Sequence, residues 1–447
     1  MPGTEVKSIS IYPLLLVNFI GTMGLSLVLP FLIFLVERFG GNALIYGIIS
    51  SMYPFFQLIG SPLLGRWSDI YGRKKVLFLS QAGTLLSWII FFIALFVPAV
   101  ALADVNSGIL GSFVITVPLL LIFLARGFDG LTGGNVSVSN AYIADITEDK
   151  DRSKNFGKMS VSTNLGFIVG PALAGILSVT IYGEALPVLA AILISLAGTI
   201  LIALYVPESL RCGLQAQTDI NAEKPSSGPE KPGGCPDISA VKKQKFRDVM
   251  DLEHIPYMFL IYFLIFLGFN TFYTAFPVHA ANDLQWTIAE LGFFFSFLSI
   301  MLVIVEGPLL SYVSKRYSDT FLIISGSIVL GSNFVLLSFG NTYLTYAAAV
   351  LFAVGNGFMW PSIQSMLSKL AGKENQGLVQ GVSGSFVSIA SILGLIGGGF
   401  IYELLGSGAF IVSAIIIFIV SLLSLRLPSF DLPRNISEET TINEQEH

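Results

Sequence analysis

The stretch Gly65-Arg66-Trp67-Ser68-Asp69-Ile70-Tyr71-Gly72-Arg73-Lys74-Lys75 is a charged island between two apolar runs, 43–64 and 76–99. Each flank is long enough to cross a bilayer as a helix, which takes about 20 residues. The island therefore reads as a tight loop at a membrane surface. Its glycines permit a sharp turn close to neighbouring backbone. Asp69 suits the positive end of a helix, and Arg73 can pair with an acid from another helix.

The rest of the chain repeats this pattern. Of 447 residues, 53% are hydrophobic and 12% charged, against about 25% charged in soluble domains; mean hydropathy is +0.76. A soluble fold of this length would lack the charges for its surface, and 36 phenylalanines exclude disorder. Cys212 and Cys235 both lie in a polar stretch and cannot form a disulfide framework. The first apolar run, 9–36, is too long for a signal-peptide core and reads as a transmembrane helix.

Hydropathy predicts an all-α membrane protein of twelve spans. Six fall at 9–36, 43–64, 76–99, 113–144, 156–180 and 187–206, and six at 255–280, 287–312, 321–339, 344–367, 378–403 and 408–427. The predicted organisation is an N-terminal half over 1–206, a cytoplasmic linker over 207–254, a C-terminal half over 255–427 and a tail over 428–447. The linker contains Pro225-Ser226-Ser227-Gly228-Pro229 and ends in a basic segment that could form a surface helix, 238–251. With the N-terminus inside, 22 of the 24 Lys and Arg fall on the inner side, and only Arg38 outside. Both termini are thus expected in the cytoplasm. Pro62-Leu63-Leu64, Ser68 and Tyr71 recur as Pro308-Leu309-Leu310, Ser314 and Tyr317, an offset of 246 that also carries span 1 onto span 7. Such an offset reads as two six-helix parallel repeats.

The island carries the pattern G-x-x-x-D-x-x-G-R-[KR]-[KR], with Gly65, Asp69, Gly72 and Arg73 at its defining positions, and in this it resembles the Major Facilitator Superfamily. Span 5 holds Gly157, Gly166, Gly170-Pro171 and Ala174-Gly175. This is similar to the motif of drug–proton antiporters, with Ala174 replacing one glycine. Small residues a turn apart let helices approach closely, and Gly-Pro bends them. Ala141–Thr147, Phe156–Ser160, Gly355–Ser368 and Gln376–Gly381 resemble the tetracycline-efflux branch. The resemblance implies a proton-driven exporter with alternating access. It departs at Gly21, where tetracycline exporters carry an aspartate before the Met-Gly pair, here Met23-Gly24.

Three ionisable residues lie well inside spans: Arg126, Asp129 and Glu306. Buried charges are costly and mark pathways or pairs. Arg126 and Asp129, three apart, share a helical face and can neutralise each other; the resemblance places an arginine at Arg126. Glu306 has no basic neighbour in its own helix, and an acid that can change charge there suits a proton carrier. Proton coupling is expected at Glu306, with Asp129 and Arg126 as second candidates. For the inner gate, Arg73 is expected to pair with Asp145, and Asp69 to face the start of span 11 near Gln380 and Gly381. Glu184, His279, Glu290 and Glu403 are expected at a solvated outer rim.

Uncharged stripes suggest the substrate cavity: Asn18, Thr22 and Ser26 on span 1, Asn270 with Tyr273 and Thr274 on span 7, and Asn356, Trp360 and Gln364 on span 10, with Gln57 added. Polar glue between helices explains any one of them equally well. No phosphate-binding loop or Cys/His cluster appears, so no cofactor, metal centre, catalytic residue or nucleic-acid partner is expected. The expected partners are a small-molecule substrate, protons and the lipid bilayer, with a functional monomer in a bacterial inner membrane or plasma membrane. The reading is a proton-coupled antiporter exporting amphiphilic molecules. Its alternatives are nutrient uptake, of a sugar or organic acid, and a non-transporting sensor or scaffold on the same fold.

Overall fold

A computed structural model describes residues 10–133, 135–147, 152–209, 250–252 and 254–428. Cys212, Cys235, the segment 225–229, most of the basic segment 238–251 and the tail beyond residue 428 lie outside the described residues. Among those described, ten helices are long and apolar enough to cross a membrane, and Gly408–Ser424 is a shorter apolar helix.

The N-terminal half runs α1 (Tyr12–Leu27), α2 (Leu32–Arg38), α3 (Ala43–Tyr71), α4 (Arg73–Ala94), a β-hairpin of β1 (Ala101–Ser107) and β2 (Gly111–Thr116), α5 (Val117–Thr132), α6 (Asn135–Ile146), α7 (Arg152–Ser178) and α8 (Ala185–Tyr205). The C-terminal half runs α9 (Ile255–Asn282), α10 (Ile288–Ile304), a π-turn (Val305–Leu309), α11 (Leu310–Val313), α12 (Asp319–Leu337), α13 (Thr342–Leu405) and α14 (Gly408–Ser424). Local chemistry fixes several starts. The Asn42 side chain accepts from the Ile45 amide at the start of α3, and Thr287 and Glu290 form a capping box at the start of α10. The C-terminal core is aromatic: the Phe272 ring meets those of Phe276, Phe334, Phe352 and Phe410 at 5.2–6.4 Å.

The structure corrects four expected boundaries. Span 1 is two helices, α1 and α2, separated by residues 28–31, where Pro30 lacks an amide to continue the ladder. Span 4 does not begin at 113: Phe113–Thr116 belong to β2, and the helix starts where Pro118 takes a first-turn position. Span 8 turns into a π-helix at Glu306, because Pro308 cannot donate to the carbonyl four residues back. Spans 10 and 11 run as one backbone helix, α13, which passes through Gly372 and Gly377; no proline lies between the spans to interrupt the hydrogen-bond ladder.

The halves meet at the end that carries the hairpin. There Gly47 of α3 lies against Leu395 of α13, and Gly399 of α13 against Ala43 and Leu44. On the other side of the bundle, Gly292 of α10 touches Pro171 and Gly175 of α7, and Ser296 Oγ donates to the Ile168 carbonyl at 3.0 Å. Residues without Cβ let these backbones come within van der Waals contact.

Candidate functional site

At the opposite end sits the charged island. Gly72 has φ +104°, a conformation that favours glycine, and a Cβ there would run into the Glu208 carboxylate. That carboxylate accepts from the Arg73 amide at 2.7 Å and the Lys74 amide at 3.2 Å, satisfying the open start of α4. The Arg73 side chain, almost wholly buried, reaches three groups: Asp69 at 2.5 Å, Asp145 of α6 at 2.9 Å and Ser68 Oγ at 2.6 Å. The expected Arg73–Asp145 pair is therefore present. Glu208 was missed, although it lies only two residues beyond span 6, in Pro207-Glu208-Ser209.

Asp69 and Gln380 are not brought together. The Asp69 side chain is 58% exposed, Gln380 is exposed, and a Cβ on Gly65, Gly157, Gly307 or Gly381 would meet open space. Gly47 and Gly399 bring backbones together at the hairpin end, whereas these four glycines have no such neighbour. The bundle is thus closed at the hairpin end and open at the Arg73 end.

A polar layer accompanies the closure. Asn282 Nδ2 of α9 donates to Glu37 Oε1 of α2 at 2.8 Å, linking the halves. Asn42 Nδ2 donates to the Leu110 carbonyl at the hairpin tip, where Gly111 faces the Glu403 carboxylate of α13. One rim residue, His279, differs from expectation. His279 is 1% exposed, with Nδ1 2.6 Å from Asp283 Oδ2, and the Tyr402 hydroxyl donates to the same oxygen at 2.6 Å. Burial by α13 and α14, through Tyr402 and Phe410, removes His279 from solvent. Glu184 accepts from Arg38 at 3.1 Å.

In the membrane interior, Arg126 and Asp129 form the expected pair at 3.4 Å, both buried. The guanidinium lies 5.1 Å from the Tyr53 ring centre, and Thr84 Oγ1 donates to the other Asp129 oxygen at 2.9 Å. Gln57 donates to Tyr53 and to the Gly133 carbonyl, both at 3.2 Å. Asn18 donates to Thr163 of α7 at 2.8 Å, Ser26 to the Gly166 carbonyl at 3.0 Å, and Thr22 to its own helix. The span-1 stripe therefore joins helices, with Asn18 and Thr22 also lining a small cavity. In the other half, Asn270 bonds Ser391 of α13 at 3.1 Å, Tyr273 lies against Phe269 and Phe295, and Trp360 against Tyr262 and Phe266. Asn356 and Trp360 are half-buried, and Gln364 is exposed. Glu306, half-buried on the π-turn, sets its side chain against Gly357 of α13.

The span-5 glycines divide. Gly166 and Gly170 press on α1, where an added Cβ would meet Thr22, Met23 and Ser26; Pro171 and Gly175 meet α10; Gly157 touches nothing.

Two helical halves closed at one end and parted at the other, with ionisable groups held inside, define a membrane transporter. The chain belongs to the Major Facilitator Superfamily, whose profile matches residues 14–246 and 258–444. It is a multi-pass integral membrane transporter and not an enzyme. It is 26% identical over 388 residues to the class D tetracycline resistance protein of Salmonella ordonez, covering 85% of this chain and 86% of that one. It is 24% identical to multidrug resistance protein 2 of Bacillus subtilis, over 88% of this chain and 89% of that one. Among solved structures it shares its fold with a D-xylose–proton symporter (TM-score 0.69, 14% identity, 93% and 98% covered). The human organic anion transporter MFSD10 is another (TM-score 0.61, 18% identity, 94% and 100% covered).

Proposed function

We propose that this transporter is a proton-coupled antiporter exporting small amphiphilic molecules by alternating access. One observation carries the reading: Glu306, a carboxylate inside a span, sits on a π-turn against Gly357 of α13, in a half whose interior is aromatic. π-turns of this kind recur at functional sites, and an aromatic lining with few polar groups suits an amphiphile. Proton binding at Glu306 drives the cycle, with Arg126–Asp129 as the alternative coupling pair. The Arg73 end faces the cytoplasm, as its basic residues favour, so the conformation described is inward-open. Asp69 closes against Gln380 in the opposite state. The units are two six-helix halves, 1–206 and 255–427, with a cytoplasmic linker 207–254 and tail 428–447, and the monomer works alone. The names of the tetracycline and multidrug resistance relatives support export. The test is reconstituted protein with a panel of amphiphilic cations, sugars and organic acids under an imposed pH gradient. Uphill movement of amphiphiles against the proton flow is expected; movement of sugars or acids with the protons would replace export by uptake.

A further inference from the structure

We infer that the β-hairpin is a strap over the closed end of the bundle with Glu403 of α13 as its catch, a role that rests on alternating access and on neither the substrate nor the coupling site. The connection from α4 to α5 takes about twenty residues, 95–116, where helix–helix connections in bundles take about 2–8. A two-stranded hairpin is marginal by itself in water, so its order comes from what it is tied to. Among the described residues, its hydrogen bonds to other elements all go to the N-terminal half. The Val114 amide donates to the Gly40 carbonyl at 2.7 Å, and Thr116 Oγ1 to the Phe39 carbonyl at 2.9 Å. Asn42 Nδ2 donates to the Leu110 carbonyl at 2.9 Å. β2 carries the buried Phe113 and Thr116, while β1 lies outermost and exposed.

Only the tip crosses to the other half. Gly111 has φ +73°, and a Cβ there would run into the Glu403 carboxylate and the Asn42 amide, so glycine lets the three sit together. Asn42 also accepts from the Ile45 amide at 3.1 Å to start α3, which fixes the tip to the helix that forms the seam. Glu403 lies one turn beyond Gly399 on the same face of α13, and Gly399 packs on Ala43 and Leu44, just after Asn42. The contact at Glu403 therefore exists only while α3 and α13 are together. The other polar tie across the seam, Asn282 to Glu37, ends two residues before Phe39. Both ties converge on the turn between α2 and α3. When this end opens, the hairpin travels with the N-terminal half and Glu403 leaves it. A contact made in one state alone favours that state. The strap holds this end shut.

The experiment is cysteine labelling of the full chain in nanodiscs without substrate, with Cys212 and Cys235 replaced by serine. The reporter is Ala43→Cys, at a position 4% exposed in the closed seam, which meets a maleimide when this end opens. Two variants release the strap from opposite sides. Glu403→Ala removes the catch. Replacing 107–111 by Asn-Gly joins the paired Asn106 and Ser112 through a two-residue turn and removes the tip. Each should speed labelling about three- to tenfold, the effect on an equilibrium of losing one polar contact of ordinary strength. Together they should do no more than either alone, because they break the same contact. Unchanged labelling in either variant, or effects that multiply, overturns the strap. Should the trimmed hairpin fail to fold, Asn42→Asp decides in its place, since aspartate still caps α3 but cannot donate to Leu110. Ser160→Cys, at the open end, keeps the two readings apart. Under alternating access its labelling slows as that of Ala43→Cys speeds up. If Ala43→Cys speeds up alone, the hairpin still straps this end and alternating access falls.

Discussion

Arg73 on the first turn of α4 holds Asp145 of α6 through Nε at 2.9 Å, while Asp69, 2.5 Å from the same guanidinium, is largely exposed. The two carboxylates share a partner but differ in what solvent does to them. Asp145→Asn should lower stability by about 1–3 kcal/mol, because Arg73 is buried and loses a charged hydrogen bond. Asp69→Asn should cost about 0–1 kcal/mol, as water screens it. Melting midpoints of the two variants in nanodiscs check this, and the reverse order would sink it.

Asp69 should matter more for the conformational balance than for stability. If it closes against Gln380 in the other state, Asp69→Asn biases the protein toward the conformation described here. With Cys212 and Cys235 replaced by serine, a cysteine at Ser160, exposed at the open end, should label faster in Asp69→Asn. Equal labelling would count against the gate.

The glycines of α7 should not be equivalent. Gly170→Leu forces atoms into Ser26 and the Met23 carbonyl, and overpacking of this kind costs about 1–3 kcal/mol or more. Transport should be lost. Gly157→Ala, with open space around it, should transport normally. Normal transport by Gly170→Leu would refute the packing role.

Glu306→Gln keeps size and hydrogen bonding but fixes the charge at zero. Substrate binding and downhill exchange should persist, while uphill transport under a pH gradient should fall to background. Uphill transport at the wild-type rate would move the coupling to Asp129, with Asp129→Asn as the next variant.

Tyr402→Phe removes the hydroxyl that donates to Asp283 beside buried His279. Asp283 is half-exposed and water replaces part of this bond, so its loss predicts a fall of about 0.5–1.5 kcal/mol in stability. A melting midpoint unchanged from wild type would show that water replaces the hydroxyl.

The amino-acid sequence by itself determined the membrane class, the family and the partners within one helix. Apolar run length is set by bilayer thickness, the spacing of the island's glycines and charges is local, and Arg126–Asp129 is one turn of helix. It also sufficed for Arg73 and Asp145, because charge complementarity left few acids to choose from. Only the tertiary structure decided which end is closed. That depends on whether Gly47, Gly175, Gly292 and Gly399 meet across the seam, a contact between residues far apart in sequence that no local pattern encodes. It likewise buried His279 and set Glu208 over the start of α4. Exposure of a side chain near a span's end is fixed by the neighbouring helices that cover it, not by its position along its own.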